Sequence, residues 1–160
     1  MPGKTDLSTL NCSLARALAA AGDWWTLLIV RDAFLGLSRF GEFRESLGIA
    51  RNILADRLAA LTAEGILRQE GTPRRPRYRL TRKGREMMPA LVALMQWGDK
   101  WQSEGRPPML LSDESGEALA KVRVTTRRGK EVSAVRFRPG PGANPRTKEF
   151  FERRARNAER

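Results

Sequence analysis

Within the stretch "GTPRRPRYRL", residues 71–80, Arg74, Arg75, Arg77 and Arg79 stand beside Pro73 and Pro76. A guanidinium group keeps its charge and offers five N–H donors in a planar fork, so several on one loop suit a row of phosphates. The prolines reduce the entropy lost when such a loop is fixed. A second group lies upstream, in "IARNILADRLAALTAEG". There Leu54, Leu58 and Leu61 fall at i, i+4 and i+7, which leaves Arg51, Asn52, Ala55 and Asp56 on the opposite face of one helix. In a helix whose first turns enter a DNA major groove, arginine pairs with guanine and asparagine with adenine. Asp56 either accepts from cytosine or holds an arginine such as Arg57 in place; because a carboxylate repels phosphate, we take the second role. Ser38 with Arg39, and Arg82 with Lys83, open two further helices, where free N–H groups and positive charge suit phosphate contacts.

Composition narrows the chemistry further. Thirty Lys and Arg against eighteen Asp and Glu give a formal charge of +12, which favours a polyanionic partner. With no histidine and a single cysteine, Cys12, the chain lacks an ordinary zinc set, an intrachain disulfide and the usual general base of hydrolases. Neither a metal, a cofactor nor an enzymatic activity is expected. The most apolar run, "WWTLLIV", is far below the ~18–20 residues that span a bilayer, and the N-terminus lacks a signal-peptide pattern, so a cytoplasmic protein without a membrane partner is expected.

The elements that must position these groups follow from periodicity and breakers. "NCSLARALAAAGDWWTLLIVRDAFLG" reads as two helices, with Asn11 or Ser13 capping the first and Gly22-Asp23 stopping it and capping the second. Leu14, Leu18, Trp25, Leu28 and Ile29 form their apolar face. A short helix follows, capped by Ser38 and ended by Gly48, and then the leucine-striped helix, closed by Gly65. "ILRQE" and "RYRLT" alternate around the arginine loop as an antiparallel hairpin whose prolines sit at its tip or edge. From Thr81 a long helix, kinked at Pro89, presents Met87, Leu91, Leu94, Trp97 and Trp101. Beyond "EGRPPML", the runs "EALAKVRVTT" and "KEVSAVRFR" predict a second hairpin, with Val122 and Val124 facing Val135 or Phe137. "RTKEFFERRARNAER" is a charged helix or tail. The expected fold is mainly α with small β (α+β). We divide it into an N-terminal arm (1–11), a main domain (12–109), a C-terminal β-hairpin extension (110–143) and a charged tail (144–160).

Each basic group taken alone is also what a solvated surface shows; the order of elements favours contact for the arginine loop and the leucine-striped helix, and for Ser38–Arg39 and Arg82–Lys83 both readings stay open. Helix, helix, short helix, glycine turn, helix, arginine-tipped hairpin and long helix is the order of a winged helix-turn-helix. From Cys12 to Trp101 the chain resembles the HxlR-type regulators, in "CSLARALAAAGDWWTLLIVRDAFLG", "RFGEFRESLGIARNILADRLAALTAEGIL" and "PRYRLTRKG". The later "PGPGA" is similar to the tail hairpin of some members, without the Cys and His residues of longer tails. The resemblance implies a dimeric bacterial or archaeal transcription factor, often a repressor, associated with the nucleoid. It also implies a redox-sensing role for Cys12, since some such regulators sense oxidants or electrophiles through a cysteine near this point; the alternative is a small residue packed at the dimer interface. Leu14 and Leu18 on the first helix, with Leu91, Leu94, Trp97 and Trp101 on the long one, exceed what one small domain can cover and are the expected dimer interface. The expected partners are double-stranded DNA, a second copy of the chain and a small-molecule effector. The rival reading is a structural nucleic-acid binder without sequence choice, for which the charge alone would suffice.

Overall fold

The computed structural model describes residues 6–21, 23–104 and 106–158. Among them the elements run α1 (Ser13–Ala21), α2 (Trp24–Phe34), α3 (Phe40–Leu47), α4 (Arg51–Ala63), β1 (Leu67–Thr72), β2 (Arg75–Leu80), α5 (Arg82–Arg85), α6 (Met88–Trp101) and α7 (Pro145–Ala158). They form two compact units, Asp23–Val124 on the one hand and Met1–Gly22 with Thr125–Arg160 on the other. The α+β class and the winged helix-turn-helix order are as the sequence predicts.

The core of the unit Asp23–Val124 is built from one apolar face of each element. Ile29 and Val30 of α2, Phe43 of α3 and the stripe Leu54, Leu58 and Leu61 of α4 are all fully buried. Ile66 and Leu67 at the start of β1 and Leu91 of α6 complete it. Trp25 and Leu28 are half-buried, with Trp25 packed against this core, whereas Leu14 and Leu18 of α1 are exposed on the single chain. Asp23 caps α2 as expected, its Oδ1 accepting from the Thr26 N–H at 3.4 Å; Gly22 lies outside the described residues.

The start of α3 differs from expectation. The capping position falls on Arg39, whose side chain has no acceptor, and Glu42 at the third helical position does the capping instead. Its Oε2 accepts from the N–H of Ser38 at 2.7 Å and of Arg39 at 2.9 Å. Those two backbone bonds, helped by the charges of Arg39 and Arg77, hold the Glu42 carboxyl below its ordinary range. At the other end Gly48, with φ of +60°, reverses the chain and its N–H bonds the Arg44 carbonyl. Such a turn sets α3 and α4 at the angle a helix-turn-helix needs.

β1 and β2 pair antiparallel, Leu67 opposite Leu80 and Thr72 opposite Arg75, leaving Pro73 and Arg74 as a two-residue tip. The Tyr78 N–H points away from β1 and bonds the Ser38 carbonyl at 2.7 Å, which fastens the hairpin to the segment leading into α3. Two residues earlier, Pro76 has the same outward orientation, so no ladder bond is lost to it. Thr81 then locks the junction: its hydroxyl donates to the Gly65 carbonyl at 2.6 Å and accepts from the Gly84 N–H at 3.2 Å.

The long helix expected from Thr81 is two helices. α5 ends at Arg85 and α6 begins at Met88, with Pro89 in its first turn. A proline without an N–H is accommodated where that donor would be unpaired, so it starts a helix more cheaply than it kinks one. The second hairpin is reduced to isolated bridges, Ser112 with Ala118 and Thr125 with Glu131, and none of Val122, Val124, Val135 and Phe137 lies in a regular strand. These side chains are exposed on the chain, and a lone two-stranded ribbon with no buried face is marginal. Gln96 of α6 takes over part of the pairing, donating to the Ala120 carbonyl at 3.0 Å and accepting from the Val122 N–H at 2.8 Å.

In the other unit, Asn11 is the organising residue. Its Nδ2 donates to the Gly142 carbonyl at 3.0 Å, and its Oδ1 accepts from the Asn144 N–H and the Thr147 hydroxyl. It therefore ties the segment before α1 to the "PGPGA" loop and the start of α7, rather than capping α1. The Arg16 N–H bonds the Cys12 carbonyl at 3.0 Å, which puts Cys12 at the first turn of α1.

Candidate nucleic-acid interface

The leucine stripe that buries α4 decides which side chains its first turns expose. Arg51, Asn52, Ala55 and Asp56 are all exposed, on the side opposite Leu54 and Leu58. The Arg51 guanidinium lies 6.0 Å from the ring centre of Phe40, so the entry to α3 steadies the first residue of α4. Asp56 does not hold Arg57. That arginine reaches Asp23 instead, at 2.6 Å and 2.9 Å, linking α4 to the capping residue of α2. The partner is distant in sequence but closer in space, and neighbouring helix positions point in different directions. Among the described residues Asp56 makes no hydrogen bond or ion pair, which leaves it free toward solvent.

Strand alternation sorts the hairpin in the same way. Pro76, Tyr78 and Leu80 are half-buried, and Arg75, Arg77 and Arg79 are exposed on the other face. Register brings Arg68, Glu70 and Thr72 onto that face opposite them, while Arg74 sits at the tip. Arg68 is neutralised by Glu70 at 2.7 Å. Arg74, Arg75 and Arg79 have no hydrogen-bond or ion-pair partner among the described residues, and Arg77 acts at a distance on Glu42. Arg74, Arg75 and Arg79, held on one hairpin without ion-pair partners, outnumber Glu70 and make a locally positive field.

The four expected phosphate contacts behave differently from one another. Ser38 is buried and its N–H is spent on Glu42, so it supports the turn rather than facing a ligand. Arg39 is exposed, 3.9 Å from Glu42. Arg82 pairs with Glu86 at 3.0 Å, on the surface, where such a pair is weak and readily exchanged. Lys83 donates to the Glu64 carbonyl at 2.6 Å, putting its cation at the negative end of α4. Glu42, Asp23 and Glu64 thus support the interface although none of them is a candidate contact by sequence. The Arg39-to-Glu42 spacing carries a capping signal; the pairings of Asp23 and Glu64 are long-range and leave none in the sequence.

Away from these rows, Leu94, Trp97 and Trp101 are exposed along α6, and Leu14 and Leu18 along α1. Leu91, expected at the dimer interface, belongs instead to the core of its own chain. Trp24 is also exposed, so three of the four tryptophans lie outside the core. Cys12 is a free, exposed thiol.

The profile of the HxlR-like helix-turn-helix family matches residues 20–106. An HTH-type transcriptional regulator of Mycobacterium tuberculosis is 41% identical over 135 residues, 81% of this chain and 85% of its own length. The crystal structure of PA1607, assigned as a transcription factor, superposes with a TM-score of 0.72 at 39% identity, over 86% of this chain and 99% of that one. The redox regulator HypR in its reduced form aligns with a TM-score of 0.53 at 26% identity, over 59% of this chain and 100% of its own. With an exposed, largely polar face on α4, an arginine-lined hairpin beside it and a family match across more than half its length, the chain belongs to the HxlR-like helix-turn-helix family of DNA-binding transcriptional regulators.

Proposed function

We propose that the protein acts in the cytoplasm as a homodimeric repressor that occupies a pseudo-palindromic operator in promoter DNA. Arg51, Asn52, Ala55 and Asp56 read base edges in the major groove. Arg74, Arg75 and Arg77 contact the flanking backbone or minor groove, and Arg39, with Arg82 and Lys83 once released from their surface partners, adds phosphate contacts. The observation that carries this reading is the arginine face of the hairpin, where Arg74, Arg75 and Arg79 have no hydrogen-bond or ion-pair partner among the described residues, beside an α4 face on which Asn52 and Asp56 make none either. Leu94, Trp97 and Trp101 of α6, with Leu14 and Leu18 of α1, meet their counterparts in the second subunit.

Footprinting on DNA upstream of the protein's own and adjacent genes, followed by titration of the protected duplex against random duplex, tests the proposal. A protected site with two-fold symmetry and a specificity ratio of at least ~10³ is expected. A ratio near unity would instead support the structural binder without sequence choice.

Release comes from a small ligand or from a thiol signal at Cys12. Likeness to HypR, a redox regulator, and the exposure of the sulfur support the thiol route. Operator binding before and after diamide or a quinone, in wild type and Cys12→Ser, separates the two. Loss of binding in wild type alone is expected from a sensor; identical responses would leave Cys12 a packing residue.

A further inference from the structure

The unit Asp23–Val124 contains a half-open cavity of about 520 Å³, bounded by the C-terminal end of α2, by α6 and by the segment 109–119. That volume lies within the range of about 300–1,000 Å³ typical of small-molecule sites. None of its lining residues belongs to α4 or to the hairpin, so it is separate from the DNA-facing rows. Its walls are apolar, with Phe34, Leu91 and Val92 beside Met88, Met95 and Met109. Methionine side chains repack around irregular shapes, which suits a site for flexible apolar ligands.

One charged residue lines this apolar space, Arg31. Its Nε and Nη2 both donate to a single oxygen of Asp32, at 2.9 and 2.6 Å, and Asp32 is completely buried. The fork is thereby held on one edge by a fixed carboxylate. Two of its three nitrogens are engaged, and Nη1 makes no hydrogen bond among the described residues. An arginine can accept a second carboxylate on its remaining edge, because it has five N–H donors.

The geometry points to a binding site for a small amphipathic monocarboxylate, its tail among the methionines and its carboxylate on the free edge of Arg31. Asp32 is a positioning residue for that arginine. α2 also offers a route outward: its C-terminal end lines the cavity, and Asp23 at its N-terminal end holds Arg57 of α4. This coupling to DNA rests on the regulator reading; binding itself does not, and is measured without DNA.

Isothermal titration of the full chain with octanoate and with uncharged octanamide tests the site. One octanoate per chain is expected to bind saturably, with octanamide at least about tenfold weaker. Arg31→Met should abolish that preference, but it leaves a buried carboxylate unpaired and can fail to fold. Val92→Trp fills the cavity without touching the Arg31–Asp32 pair, and with an unchanged melting profile it should lose octanoate binding. The site is overturned by an absence of saturation up to millimolar octanoate, by equal affinity for acid and amide, or by full binding in Val92→Trp. It is equally overturned if wild type binds neither probe while Val92→Trp sediments as a monomer, since the partner subunit would then fill the cavity. Octanoate that binds without weakening operator affinity upholds the site and overturns its coupling to α4.

Discussion

Arg75 and Asn52 should fail in different ways when each is cut back to alanine. A guanidinium on a phosphate contributes whatever the base sequence, and each such contact adds about 0.9 to the salt dependence of binding. Present twice in a dimer, Arg75→Ala should weaken promoter and random duplex alike and flatten the salt slope by about 2 units, read by anisotropy titrations across a salt series. Asn52→Ala and Arg51→Ala should cost about 1–3 kcal/mol per lost base contact on the operator, with random DNA bound nearly as before. Unchanged affinity and slope in Arg75→Ala would make the hairpin a solvated loop. Gly84 has a structural role that no DNA titration would report. It is buried, and a Cβ there would meet the Ile66 carbonyl oxygen and approach Leu80 Cδ2 to 2.9 Å. Backbone cannot move aside as a flexible side chain does, so Gly84→Ala should lose about 1–3 kcal/mol in urea unfolding. A neutral result would mean that the junction of β1 and α5 is looser than its packing indicates.

The link between α3 and the two residues before it depends on one carboxylate. Glu42 accepts from the N–H groups of Ser38 and Arg39, which lowers its folded-state pKa from an ordinary value of 4.5. For an acid with a depressed folded pKa, the stabilisation is fully present above the unfolded value and is lost as pH falls through the folded one. Glu42→Gln should accordingly be less stable than wild type at neutral pH, and the gap should close on acidification below the ordinary carboxylate range. Denaturant midpoints at a series of pH values check this, and a gap that persists unchanged in acid would remove Glu42 as the cap. How much of such an element is legible in the sequence depends on the range of each interaction. The stripe of Leu54, Leu58 and Leu61 and the alternation around Pro73-Arg74 are local, and the exposed faces of α4 and β2 follow from their spacing alone. Bonds between Asp23 and Arg57, Lys83 and Glu64, or Asn11 and Gly142 join residues far apart in the chain, and no periodicity records them. The break before Met88 and the missing second ladder escape the sequence for another reason. Apolar spacing there resembles a continuous helix and a hairpin, but one needs an N–H that proline lacks and the other a third element to bury its face.

Two subunits of this protein would each carry a formal charge of +12, so their association works against mutual repulsion. Apolar burial must supply the difference. Leu94, Trp97 and Trp101 are 55%, 57% and 61% exposed on α6, and Leu14 is 67% exposed on α1. Single exposed apolar residues are ordinary, but a row of large ones along one helix is the mark of a covered face. Salt should therefore act in opposite directions on the two kinds of partner, screening the repulsion between subunits while competing for the phosphate contacts. Substitution at the row gives the sharper test. Because Leu94 and Trp97 are exposed on the single chain, a carboxylate there leaves each subunit folded; in a dimer it would be buried unpaired, at a cost of several kcal/mol. Leu94→Asp and Trp97→Asp should sediment as folded monomers, whereas Ser133→Asp, exposed and outside both helices, should remain dimeric. The monomers should bind a full operator no better than an isolated half-site, because the linkage between two recognition helices about 34–36 Å apart is gone. Should Leu94→Asp and Trp97→Asp stay dimeric with wild-type operator affinity, the subunits meet through some other surface.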